Sequence, residues 1–190
     1  MPGLLRSGLI VWLVAWAAGC AHRTTASAPA AWIDQLGGRE TGVYECRATR
    51  VLDRLLNEPV RCRFSVAVLG SPEPVAYCWP NGDVFVTRGL LDLLDDEELA
   101  AAIAHEVGHV MTAPPSHGIV SLRGRDSRLT AEVDADAAGA KLLTAAGLHP
   151  DAMSAMLAKV RDAVDIPSRY REQMSRRIDL LTASHGALAR

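Results

Sequence analysis

Lysine is almost missing from this 190-residue chain: Lys141 and Lys159 are the only two among 20 basic residues. Against 22 acidic residues the formal net charge is −2. That balance excludes a polybasic membrane patch and gives no footing for a nucleic-acid partner. Long apolar runs are also lacking. The stretch Leu9–Ala18 is apolar throughout, but it falls short of the roughly 20 residues that a membrane-spanning helix needs. No internal repeat is present, which excludes a solenoid or propeller. Cysteine is sparse, at four residues. The length suits one domain whose core needs no staples.

What is present begins with a targeting pattern. Arg6 precedes the apolar run, which ends at Ala17-Ala18-Gly19-Cys20. This end resembles a bacterial lipobox, in which the cysteine is lipidated and becomes the first mature residue. Residues 1–19 are therefore expected to be a lipoprotein signal peptide, with Cys20 as the membrane anchor. Ala21 after the cysteine implies sorting to the outer membrane, with the domain facing the periplasm. Residues 20–31 are small and polar and read as a flexible tether; the domain is expected over 32–190. Export leaves Cys46, Cys62 and Cys78 in an oxidising compartment. One disulfide and one buried thiol is the simplest accounting, with the pairing open.

Along the domain, Tyr44, Ala48, Val51, Leu52 and Leu55 recur at helical spacing. Arg61–Val68 alternates, which predicts a strand burying Cys62, Phe64, Val66 and Val68. Residues 75–80 and 84–88, joined through Asn81-Gly82, predict a hairpin whose first strand lies at a sheet edge because of Pro80. Further helices are expected at 89–94, from Asp95 or Asp96 as cap to about 112, and over 131–146, 151–164 and 168–183. The Pro114–Leu129 stretch reads as a loop. The fold class is α+β, mainly helical, with a small antiparallel sheet whose edge strand lines a cleft.

The chemistry is concentrated in His105-Glu106-Val107-Gly108-His109. Four residues of helix turn through about 400° and rise roughly 6 Å, so both imidazoles leave one face. That spacing lets two nitrogens hold one Zn²⁺ and sets the Glu106 carboxylate beside its open position. A shuffled chain of this composition shows such a pattern about once in a hundred trials, so a third ligand matters. Glu132 is available at the start of the second helix, with Asp136 four residues on and hence on the same face.

His105-Glu106-Val-Gly-His109 followed by Glu132-Val-Asp-Ala-Asp136 resembles the gluzincin metallopeptidases of the HtpX, Oma and CAAX-prenyl-protease family, whose fold is zincin-like. Cys78–Leu91, Ala145–Met153 and Arg177-Ile178 resemble further segments of that family, and the soluble lipoprotein members are the most similar in layout. The resemblance implies one zinc per chain held by His105, His109 and Glu132. It implies Glu106 as the group that takes a proton from water and passes it to the leaving amine. Asp136 would hydrogen-bond the outer nitrogen of a ligand histidine, taken to be His105. A polypeptide substrate would lie as an extended strand along Ala76, Tyr77 and Cys78. The implied activity is a zinc endopeptidase of the cell envelope acting on unfolded or misassembled proteins.

Three positions depart from the family. Val75 stands where the edge strand usually begins with Asn. Arg171 stands where a histidine usually steadies the tetrahedral oxyanion; Arg171 itself, Tyr170 and Arg177 are candidates for that task. Only 22 residues separate His109 from Glu132, so a covering hairpin is reduced to a loop and a more open cleft is expected. These departures keep a second reading open, a zinc-binding periplasmic chaperone or assembly lipoprotein with little peptidase activity. Of the other histidines, His22 lies in the tether, His149 at a helix start and His185 near the terminus. His117 reads as a solvated loop residue.

Overall fold

The computed structural model describes residues 27–112, 128–164 and 167–188. The signal segment, Cys20, His22 and the 114–127 part of the expected loop, His117 included, lie outside the described residues. The elements run α1 (Ala30–Gln35), β1 (Arg39–Glu40), α2 (Val43–Leu55), β2 (Ser65–Leu69), β3 (Ala76–Cys78), β4 (Asp83–Thr87), α3 (Arg88–Leu93), α4 (Asp96–Thr112), α5 (Arg128–Ala145), α6 (Ala152–Ala163) and α7 (Ser168–Leu188). None of the described helices is long and apolar enough to cross a membrane.

The architecture is α+β, as expected, but the sheet is mixed and not purely antiparallel. Its order is β1-β2-β4-β3. β2 runs parallel to β4, while β1–β2 and β3–β4 are antiparallel. The chain leaves β2, passes over the place β4 will take, and returns through the hairpin, which leaves β3 at the edge. The Asn81-Gly82 turn is built as its residues require. Gly82 adopts φ +87°, and a Cβ there would collide with the Arg63 carbonyl.

The strand expected over 61–68 begins only at Ser65, and Cys62 is exposed. Arg61–Arg63 form a 3₁₀ turn instead. Arg61 holds that turn by donating from Nε to Asp53 Oδ1 at 2.6 Å and from Nη1 to the Phe64 carbonyl at 2.8 Å. Cys46, Cys62 and Cys78 are not joined by any disulfide. Cys46 sits in the first turn of α2, and Cys62 follows that helix's other end. Nine helical residues span about 14 Å, twice the Cα separation a disulfide tolerates. Only the buried thiol, Cys78, is as expected.

The sheet divides the core in two. On one face Phe64, Val68, Ala76, Cys78, Val84 and Val86 join α2, α4 and α6 in the main core. On the other, Ala67, Leu69, Trp79 and Phe85 are covered by Ala28, Trp32, Ile33 and Leu36. The tether therefore gives way to a helix at Ala30, and Trp32 seals the outer face.

Helix α4 is the axis of the domain, with α2, α5, α6, β3 and β4 all packed on it. Every residue from Glu98 to His109 is buried. Its start is capped by Asp95, whose Oδ1 accepts from the amides of Glu97 at 3.0 Å and Glu98 at 2.9 Å. Glu98 Oε2 accepts in return from the Asp95 amide at 2.9 Å, a reciprocal capping box. Lys159 of α6 reaches the same Glu98 oxygen at 2.6 Å. Arg47 of α2 fastens the entrance by donating to the Leu94 carbonyl and Asp96 Oδ1, both at 2.7 Å. These contacts fix where along the core the histidines fall.

Candidate metal centre

Helices α4 and α5 approach closely because glycine and alanine meet where they cross. A Cβ on Gly108 would stand 2.6 Å from the Ala135 carbonyl oxygen. One on Gly139 would stand 3.1 Å from the His105 amide nitrogen and from the Ala104 carbonyl carbon. The missing side chains bring the α5 backbone down on α4, so that Glu132, near the start of α5, reaches both histidines.

His105 Nε2 and His109 Nε2 lie 3.1 Å apart. Glu132 Oε2 is 3.4 Å from the first and Oε1 is 3.5 Å from the second. No other group of three His, Cys, Asp or Glu side chains among the described residues converges in this way. Nitrogen and oxygen ligands about 2.1 Å from a tetrahedral ion are separated by about 3.4 Å. The observed spacings match that triangle, so the residues present fit a divalent ion of zinc's size and ligand preference.

The remaining polar groups orient the triangle. Asp136 Oδ1 lies 2.8 Å from His105 Nδ1, which commits that nitrogen to a proton and turns Nε2 towards Glu132. Of the two histidines, His105 is thus the one that Asp136 holds. Arg177 of α7 grips Asp136 with Nε and Nη2, both at 2.7 Å. Its Nη1 is 3.0 Å from Glu132 Oε2. One guanidinium thereby braces two carboxylates on adjacent turns of α5.

Charges follow from this packing. Burial resists ionisation of Asp136, but the Arg177 and His105 hydrogen bonds prevail and hold it well below the usual carboxylate range. Burial likewise opposes a charged Glu132, and the His105 hydrogen bond with the nearby cations keeps its pKa low. For His105 burial disfavours the imidazolium, yet Asp136 and Glu132 raise its pKa to about 9 when no ion is bound. His109 has no such support, and burial with the charge on His105 lowers it to about 4.

Glu106 stands apart. Its carboxylate is fully buried, and neither oxygen has a hydrogen-bond partner among the described residues. Burial, reinforced by Glu132, pushes its pKa up to about 7. A native protein rarely leaves a carboxylate in that condition unless a ligand or water completes it. A group poised near neutrality is suited to take and return a proton.

The edge strand lies against the same helix. Val75 accepts from the Thr87 amide at 3.0 Å and Trp79 donates to the Asp83 carbonyl at 2.9 Å. By antiparallel alternation the main-chain groups of Ala76 and Cys78 point away from β4, towards an edge that pairs with no other strand among the described residues. Cys78 is near enough to Glu106 for that charge to add to burial in raising its thiol pKa.

Two expected oxyanion donors are not brought to the cluster. Arg171 spends its guanidinium on the carbonyls of Arg161 and Val164, at 3.0 and 3.4 Å, closing the turn between α6 and α7. The Tyr170 hydroxyl accepts from Arg169 Nη2 at 3.1 Å. Arg177 alone of the three reaches the site. The sequence reading missed Trp32, whose only signal is a tryptophan just past a run of small residues. It also left Gly139 unremarked.

Residues 45–124, which hold β2 to β4 and the two histidines, match peptidase family M48. The chain is 57% identical over 30 residues to a protein named protease HtpX homolog from Methanothermobacter thermautotrophicus, covering 16% of this chain and 12% of that protein. A protease HtpX homolog from Dictyoglomus thermophilum is 45% identical over 49 residues, covering 24% of this chain and 16% of the relative. The matched stretches are thus a small part of those relatives' length.

Proposed function

We propose that this chain is a zinc-dependent endopeptidase that hydrolyses polypeptides bound as an extended strand along Ala76, Tyr77 and Cys78. The observation that carries the reading is the pairing of a ligand triangle at zinc spacing with one orphaned, buried carboxylate. The His105, His109 and Glu132 distances supply the first, and Glu106 supplies the second. Zinc bound there would supply Lewis-acid activation of water, lowering its pKa towards about 7.

The chain's own groups divide the remaining work. Glu106 accepts a proton from the attacking water and returns it to the leaving amine, which its pKa near neutrality suits. Asp136 holds the His105 tautomer, and Arg177 keeps Asp136 and Glu132 ionised and in place. The free main-chain groups of Ala76 and Cys78 offer hydrogen bonds to an added strand. A substrate held in that way must be locally extended, which favours unfolded or misassembled proteins. The lipobox-like Ala17–Cys20 segment supports a lipid anchor at Cys20 and a place on the periplasmic face of the outer membrane. Nucleic acid is not a proposed partner.

One observation favours a second reading, a zinc-binding chaperone with little turnover. Arg177, the sole guanidinium at the cluster among the described residues, is already committed to Asp136 and Glu132. A single comparison separates the two. Zinc-loaded protein should degrade an unfolded polypeptide at least about a hundredfold faster than Glu106→Gln, with zinc content equal in both. Equal rates would overturn the peptidase reading. Glu132→Ala should lose the zinc, and retention of a full equivalent would remove Glu132 from the ligand set.

A further inference from the structure

The outer side of the edge strand carries a feature that metal binding and proton transfer do not use. Tyr77 alternates with Ala76 and Cys78, so its ring lies on the sheet face away from α4. There it meets Trp32 of α1, edge to face, with centroids 5.2 Å apart and planes at 81°. Trp32 makes similar contacts with Trp79 at 5.6 Å and Phe85 at 5.3 Å. Trp79 and Phe85 are buried, whereas Trp32 and Tyr77 each keep part of their surface exposed. The result is an aromatic wall beside the free edge, built on a rigid base.

An extended peptide paired with β3 alternates its side chains between the two faces of the sheet. Those on the α4 side crowd against Ala76, Cys78 and Glu106. The residue directly across from Tyr77 places its side chain on the outer face, where cross-strand neighbours meet. The Arg39 guanidinium, 5.6 Å from the Phe85 ring centre, covers the part of the same face nearer β1. We propose that Trp32 and Tyr77 form a side-chain subsite on the outer face of β3 that selects an aromatic or large aliphatic residue in the bound peptide. This rests on the strand-addition part of the proposed function and deepens it by naming a specificity determinant.

The test uses the full chain, zinc-loaded, with Glu106→Gln to suspend hydrolysis. A set of peptides of one extended sequence carries Phe, Leu, Ala or Lys at a single scanned position, and affinity is measured for each. At one position Phe and Leu should bind about five- to tenfold tighter than Ala, the fold-change an aromatic contact supports. Adding Trp32→Ala should reduce that preference to within about twofold. Trp32→Phe should keep most of the preference. Zinc content and melting curves show that each variant is folded. If Trp32→Ala does not fold, Tyr77→Thr, which leaves α1 in place, carries the test.

An unchanged preference in folded Trp32→Ala, or no preference in the parent, overturns the subsite. Absence of Glu106-dependent cleavage alongside the expected preference overturns only the peptidase reading. Failure of every peptide to bind overturns strand addition and the subsite together.

Discussion

Arg177 and Asp136 form a two-pronged hydrogen-bonded pair at 2.7 Å and 2.7 Å, buried where α7 meets α5. Asp136 in turn fixes His105 at 2.8 Å, so the last helix of the chain sets the orientation of a ligand on α4. Removing the guanidinium leaves the buried Asp136 and the partly buried Glu132 without that cation. Arg177→Met should therefore destabilise the fold by about 3–5 kcal/mol and weaken zinc binding. Arg177→Lys should recover only part of the loss, because a point charge cannot span both oxygens and Glu132. Urea titration with zinc analysis checks both.

The small-residue seam between α4 and α5 predicts an unequal pair of variants. Alanine raises helix propensity by about 1 kcal/mol over glycine, yet both sites should lose stability. At Gly108 the new methyl meets a backbone oxygen at 2.6 Å. At Gly139 the nearest atom, also at 2.6 Å, is the end of the flexible Met153 side chain. Gly108→Ala should cost about 1–3 kcal/mol net and loosen zinc, with Gly139→Ala the milder of the two. Thermal melts with and without zinc decide the order.

Zinc affinity should climb with pH. In the ion-free chain the His105 pKa is raised to about 9, so below that pH an incoming ion must displace a proton. Affinity should fall by about tenfold for each pH unit between 9 and 7. Stability of the ion-free fold runs the other way. A raised histidine pKa contributes stability that is complete below its unfolded value and is lost as pH rises through about 9. The gap in Tm between zinc-loaded and zinc-stripped protein should widen from pH 7 to 9. A flat gap would show that His105 does not carry that proton.

Thiol reactivity checks the cysteine assignment. Cys46 and Cys62 are exposed and should react with a thiol reagent in the native chain without prior reduction. Cys78, buried and with its pKa raised, should react only on unfolding. Mass mapping of the labelled residues distinguishes this from a bridged pair.

The helices and the grouping of the candidate metal residues were legible because their signals are local. Ala48, Val51, Leu52 and Leu55 repeat at helical spacing and are buried as a stripe. His105, His109, Glu132 and Asp136 occupy faces that a four-residue period defines, and α4 with α5 brings those faces together. What stayed hidden depends on the partner surface. The β2–β4 pairing could not be read from β2, since Ala67 and Leu69 are apolar only because α1 covers them. Arg171 and Arg177 look alike in sequence; one caps a turn and the other enters the core, and only the packing of α7 on α5 and α6 separates them.

The burial of α4 along its whole middle has a consequence for when a metal could be taken up. The helix has no surface position on which to wait; its ligands come together only once α5 and α7 have closed over it. A nascent or unfolded copy therefore has two histidines and no metal cradle. A metal could be held there only after the core has formed, so its uptake would be timed by folding itself.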